Sequence, residues 1–86
     1  MEKKYIVTQG WNDGSQLDEW EFGDEAEARE LYAEIDLAQQ YRTEKMTAGR
    51  LWRERRAAKE LSVATVDDDG CYDYGDMLEY EEYGRF

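Results

Sequence analysis

Eighty-six residues with 22 acids, 11 bases, no histidine and no proline make one small domain with a formal net charge of −11. That field repels nucleic acid and anionic membrane and attracts basic surfaces, while the lack of histidine removes the usual general base near neutrality and the commonest zinc ligand. A single cysteine, Cys71, excludes an intrachain disulfide, and no apolar run has the length of a signal peptide or a membrane span, so a cytoplasmic protein is expected.

The first elements read as a hairpin. Residues 3–11 (KKYIVTQGW) are β-branched and aromatic, 12–15 (NDGS) tolerate positive φ, and 17–22 alternate, with Trp20 and Phe22 facing one way and Glu19 and Glu21 the other. Gly23 ends the second strand. Asp24 is placed to cap a helix and Glu27 stands three residues on, as a capping box requires. Ala28, Leu31, Tyr32 and Ile35 share one arc of that helix, whereas Leu37 and Tyr41 leave it, which predicts a bend or an end near residue 40.

Residues 40–60 are ambiguous. Ala48, Leu51, Trp52, Arg55 and Ala58 form one helical face and predict a second helix over 44–59; Gly49 interrupts it, and 51–53 could instead open a strand. Residues 61–66 (LSVATV) read as a strand, 67–70 (DDDG) as a turn, and 71–74 as a returning strand. Residues 77–83 fit an edge strand, a helical turn or a tail, and 77–86 is expected to be loosely held. The fold expected over 1–86 is a single α+β domain: an N-terminal hairpin, an amphipathic helix, a second helix and short C-terminal strands, in one small sheet with helices on one face. Its expected core is Tyr5, Val7, Trp20, Phe22, Ala28, Leu31, Tyr32, Ile35, Leu51, Trp52, Val63 and Val66.

Charge is distributed acid–base–acid. Residues 1–40 carry 11 acids and 3 bases, 41–60 carry 3 acids and 7 bases, and 61–86 carry 8 acids and 1 base. Arg50, Arg53 and Arg56 would line a ridge of the second helix, there to meet carboxylates within the fold or to contact an acidic partner or a second copy of the chain. Glu27, Glu30 and Glu34 are neighbours on the first helix, with Cβ atoms about 5–6 Å apart. That row imitates the spacing of backbone phosphates; its plainer reading is a solvated helix face. In size and charge the chain resembles the small acidic inhibitors of phages and mobile elements, such as anti-CRISPR and antirestriction proteins. The likeness is one of composition, and it implies occupation of a basic nucleic-acid channel.

Other constellations point to weaker chemistry. Thr65, Asp67, Asp69, Gly70, Asp73 and Asp76 follow the spacing of a calcium loop, with Thr65 in place of the first Asp and Asp76 in place of the chelating Glu. A strand also precedes it where such a loop needs a helix, so an acid-flanked β-turn is the alternative, and no metal is expected. Cys71 follows three aspartates whose field disfavours a thiolate. Carboxylate pairs abound, but a chain this short does not readily build a sugar cleft. Tyr72, Tyr74, Tyr80 and Tyr83 are interleaved with acids, a composition suited to a protein interface, and Trp52 between Arg50 and Arg53 is either an anchor or core.

The sequence therefore leads to a non-enzymatic binding module, without cofactor, that docks on a basic protein surface such as that of a nucleic-acid-binding enzyme, and contacts neither nucleic acid nor membrane directly. Its expected contact residues are Glu27, Glu30, Glu34, Asp67, Asp68, Asp69, Asp73, Asp76, Trp52, Tyr72 and Tyr74. The alternative is a small structural or assembly domain, homodimeric through Trp52 and the tyrosines, whose acidity serves solubility.

Overall fold

Strands β1 (Glu2–Trp11) and β2 (Gln16–Phe22) pair antiparallel around a tight turn, as the Asn-Asp-Gly-Ser run requires. The Trp11 amide donates to the Ser15 carbonyl at 2.9 Å, and Gly14 takes up φ +92° inside the turn. Gly10 lies so close to the returning chain that a Cβ there would strike the carbonyl oxygen of Ser15. A computed structural model describes residues 2–48 and 56–84, with side chains as far as Thr43 in the second helix.

Helix α1 (Glu25–Glu34) starts where the sequence indicates. Asp24 is extended and its carboxylate accepts the Ala26 amide at 3.0 Å, satisfying one of the orphan donors of the first turn. The helix stops earlier than its periodicity suggested. Ile35 leaves the helical region at φ −70°, ψ 118°, and Asp36 opens helix α2 (Leu37–Ala48) by accepting the Gln39 amide at 3.1 Å. The drift of Leu37 and Tyr41 off the first apolar arc thus has a cause: they belong to a second, redirected helix, and both are buried there.

The second helix expected over 44–59 is corrected at its C-terminal side. Strand β3 begins at Ala57 and runs to Val66, so Ala57, Ala58 and Lys59 are strand residues. Their helix-forming composition is overridden by pairing with β1, in which Trp11 faces Ala57, Gln9 faces Lys59, Val7 faces Leu61 and Tyr5 faces Val63. Residues 49–55, including Arg50, Leu51, Trp52 and Arg53, lie outside the described residues. The asparates and glycine at 67–70 turn the chain into strand β4 (Tyr72–Tyr83), which pairs antiparallel with β3. Residues 77–83 are therefore edge strand. The sheet order is β2-β1-β3-β4, an α+β fold with β1 and β3 inside.

Both helices lie on one face of this sheet. Val7, Ala28, Tyr32 and Leu61 form the buried centre, with Tyr5, Trp20, Phe22, Leu31, Ile35 and Leu78 packed around it. Leu37, Tyr41 and Ala57 make a second cluster joined to the first through Ile35. Val63 and Val66, also expected in the core, are half-buried. Among the described residues no helix is long and apolar enough to cross a membrane.

Candidate functional site

Among the described residues the other face of the sheet carries no helix, and the strand registers dictate what it presents. Ile6 pairs with Glu21 and Ser62, Thr8 with Glu19 and Glu60, and Lys4 with Ala64. On β4 the same face is continued by Tyr72 opposite Val66, Tyr74 opposite Ala64, Met77 opposite Ser62, Tyr80 opposite Glu60 and Glu82 opposite Ala58. That spacing is not strict alternation. Register slips at Leu61/Ser62 and Ser62/Ala64 insert extra residues in β4, as β-bulges do, and thereby hold Tyr72, Tyr74, Met77 and Tyr80 on one side. The same slips send Leu78 into the core and Glu79 to Arg29 of α1, at 3.2 Å.

Tyr72, Tyr74, Met77 and Tyr80 are all exposed. Tyr72 and Tyr74 stack with ring centroids 6.1 Å apart. The Tyr72 hydroxyl donates to the carboxylate of Glu21, which lies on the opposite edge strand. This bond spans the face from β4 to β2, so the sheet must curl, and Ile6, Ala58, Ser62 and Ala64 are buried in the floor of the curl. The Glu21 carboxylate, more than burial, raises the Tyr72 hydroxyl above its ordinary value. Tyr80 is raised mainly by burial, and its hydroxyl donates to Glu82 at 2.8 Å.

Among the described residues five carboxylates share this face: Glu2, Glu19, Glu21, Glu60 and Glu82. Lys4 lies 3.9 Å from Glu2 and Arg56 lies 3.6 Å from Glu82. Arg29 and Lys59 are engaged elsewhere. Arg29 bonds Glu25 at 2.9 Å and Glu79 at 3.2 Å, and these two carboxylates raise its guanidinium further. Lys59 is buried between sheet and helices, where its ammonium donates to the Tyr32 carbonyl at 2.7 Å and the Ile35 carbonyl at 3.3 Å. It thus caps the negative end of α1. It also stands 4.3 Å over the Tyr32 ring and 3.7 Å from Glu81. Burial, with Glu81 and Glu79 adding, pushes the Tyr32 hydroxyl up to about 12.

The residues expected at the contact surface are distributed over three places. Tyr72 and Tyr74 come together on the open face. Glu27, Glu30 and Glu34 are exposed along α1, on the helix side of the molecule. Asp67, Asp68 and Asp69 form the β3–β4 turn at one end, with exposed Asp73 and Asp76 following on β4; Asp73, between Tyr72 and Tyr74, projects to the face opposite theirs. Trp52 lies outside the described residues.

The calcium-like spacing falls on a hairpin tip. Asp67 uses one carboxylate oxygen to accept the amides of Asp69 and Cys71, each at 2.9 Å, and Gly70 adopts φ +80°. Strands flank it on both sides, and among the described residues no three His, Cys, Asp or Glu side chains converge as ligands. Cys71 is an exposed thiol at the same tip.

A second concavity lies on the helix side, between the hairpin and the α1–α2 elbow. It has a volume of about 600 Å³ and walls of Trp11, Leu17, Trp20, Leu31 and Ile35. Leu17 reaches it through a bulge: Gln9 pairs with Asp18 and Gly10 with Gln16, leaving Leu17 between them and free of strict alternation. Gln40 is buried beneath, accepting from Gln9 at 2.7 Å and donating to the Gly10 carbonyl at 2.6 Å. Glu34 and Asp36 stand at the elbow side.

Sequence reading identified the alternation of Glu19 and Glu21 but not their meeting with Glu60 and Glu82, which depends on register across four strands. Lys59 was hidden by its assignment to a helix, and Leu17 by the bulge. Comparisons with protein-family models, curated proteins and solved structures give no match.

Proposed function

We propose that this chain is a non-enzymatic binding protein whose acidic surface docks on a basic protein, with the open face of the sheet as the principal contact. The observation that supports this most is the composition of that face. Among the described residues five carboxylates are arrayed over four strands, against Lys4 and Arg56, around exposed Tyr72, Tyr74, Met77 and Tyr80. Tyr and Met are enriched at interface centres, and carboxylates on a curled sheet steer a cationic partner and speed its approach. Glu27, Glu30 and Glu34 on α1 extend the acidic field round the molecule and would compete with nucleic acid for the same partner.

A second copy of the chain is a poor occupant of this face. Self-association would bring its five carboxylates against the same five, and like charges across an interface cost several kcal/mol. Pairing along the free edge of β4 meets the same obstacle, since Asp73, Asp76, Glu79, Glu81 and Glu82 lie on that strand without a base.

The test compares the full chain with a Glu19→Gln/Glu60→Gln/Tyr74→Ala variant in capture from cell extract, followed by purification of the captured protein and measurement of its affinity. The reading expects a basic partner, held by the parent chain, weakened by salt and by competing duplex DNA, and bound at least about tenfold less tightly by the variant. A partner that is neutral or acidic, or that binds the variant equally, would refute it.

A further inference from the structure

We infer that the groove between the β1–β2 hairpin and the helix elbow is a second docking site, which takes an apolar side chain from a basic amphipathic segment of a partner protein. Three observations carry this. The groove's volume of about 600 Å³ falls within the range of about 300–1,000 Å³ typical of ligand sites, and its walls are apolar with a few placed polar groups. Its apolar lip is built deliberately: Leu17, at 61% exposure, is the most exposed of the groove's large apolar residues, and the bulge at Gln9/Gly10 turns it toward Trp20 and Leu31 instead of leaving it with Glu19 and Glu21 on the open face. An exposed leucine gains most when a partner covers it.

The chemistry of the occupant follows from the rim and floor. No lysine or arginine is among the described lining residues, whereas Glu34 and Asp36 are. A positive segment is therefore complementary and an acidic one is repelled. The floor asks for little polar chemistry, because Gln9, Gln40 and the Gly10 carbonyl are already bonded to one another. An apolar anchor flanked by lysine or arginine suits these constraints better than a polar small molecule. Such anchors recur at helical spacing when an amphipathic helix lies in a groove.

The groove and the open face lie on opposite sides of the sheet, so each can fail alone. The probe is an amphipathic Leu–Lys peptide of about fourteen residues, long enough to form helix when bound, with an oligolysine of equal charge beside it. Binding is followed by the tryptophan fluorescence and by the NMR signals of the Trp11 and Trp20 indoles. The Leu–Lys peptide is expected to bind at least about tenfold more tightly than oligolysine and to move both indole signals. Leu17→Ser and Glu34→Lys, each at an exposed position, should weaken it about tenfold and about threefold, with unchanged circular dichroism and melting, and Tyr74→Ala should leave it unaltered. Equal binding of oligolysine, indifference to Leu17→Ser, or absence of binding overturns the groove. Signals that move at Tyr72 and Tyr74 but not at the indoles also overturn it, while leaving the open-face reading standing.

Discussion

On its covered face the sheet buries Val7 and Leu61 completely and, among the described residues, buries one base, Lys59, whose ammonium is bonded to the end of α1. On its open face the same strands turn out five carboxylates and four exposed apolar or aromatic side chains. The two faces alternate residue by residue along β1 and β3, so the contrast is not a matter of which segments are acidic. It shows that one face is organised around burial, with its buried base satisfied by the end of α1. The other is left with exposed charge and aromatic area that the fold engages only in part.

If that contrast is right, mutations should separate cleanly by face. The largest effect is expected from Leu61→Ala, which deletes a fully buried side chain and should cost about 2–5 kcal/mol. Tyr74→Ala, at 63% exposure, should change stability by no more than about 0.5 kcal/mol. Denaturant unfolding of the two variants checks both values, and similar losses would break the distinction. An intermediate effect is expected at Lys59→Met, which keeps the bulk of the side chain but strips the Tyr32 and Ile35 carbonyls of their donor. The cost should be about 1–3 kcal/mol, with hydrogen exchange accelerating first in the last turn of α1.

A further effect is expected at alkaline pH. Tyr32 is raised to about 12 in the folded chain, against about 10 for an unfolded tyrosine. The folded state therefore keeps a proton that the unfolded chain releases. Stability attributable to this group is complete below about pH 10 and is lost as pH rises from there toward 12. Denaturation midpoints measured between those limits should fall with pH, and Tyr32→Phe should flatten that part of the decline.

What could be read in the sequence was local, and what could not was set by register. The Asn-Asp-Gly-Ser turn and the Asp24 cap are decided by residues within a few positions, and both are found where the spacing put them. Ala57–Lys59 look like helix when only their neighbours are considered; they become strand because β1, more than forty positions earlier, pairs with them. The residues 72–83 show only weak alternation because two bulges interrupt it, and those same bulges gather Tyr72, Tyr74, Met77 and Tyr80 on one face. Of the expected contact residues, Tyr72 and Tyr74 share a face because they stand two apart on one strand; their stacking is seen only in the structure. The joining of Glu19 and Glu21 with Glu60 and Glu82 required the strand order, which no local pattern encodes.

The central claim, that the open face is kept for a basic partner, is tested most directly by mapping backbone amide shifts of the full chain against its captured partner at low and high salt. The account predicts shifts concentrated on β2, β4 and the outward residues of β1 and β3, around Glu19, Glu60, Tyr72 and Tyr74, with affinity falling steeply as salt rises. Shifts that avoid this face, or an affinity indifferent to salt, would contradict it.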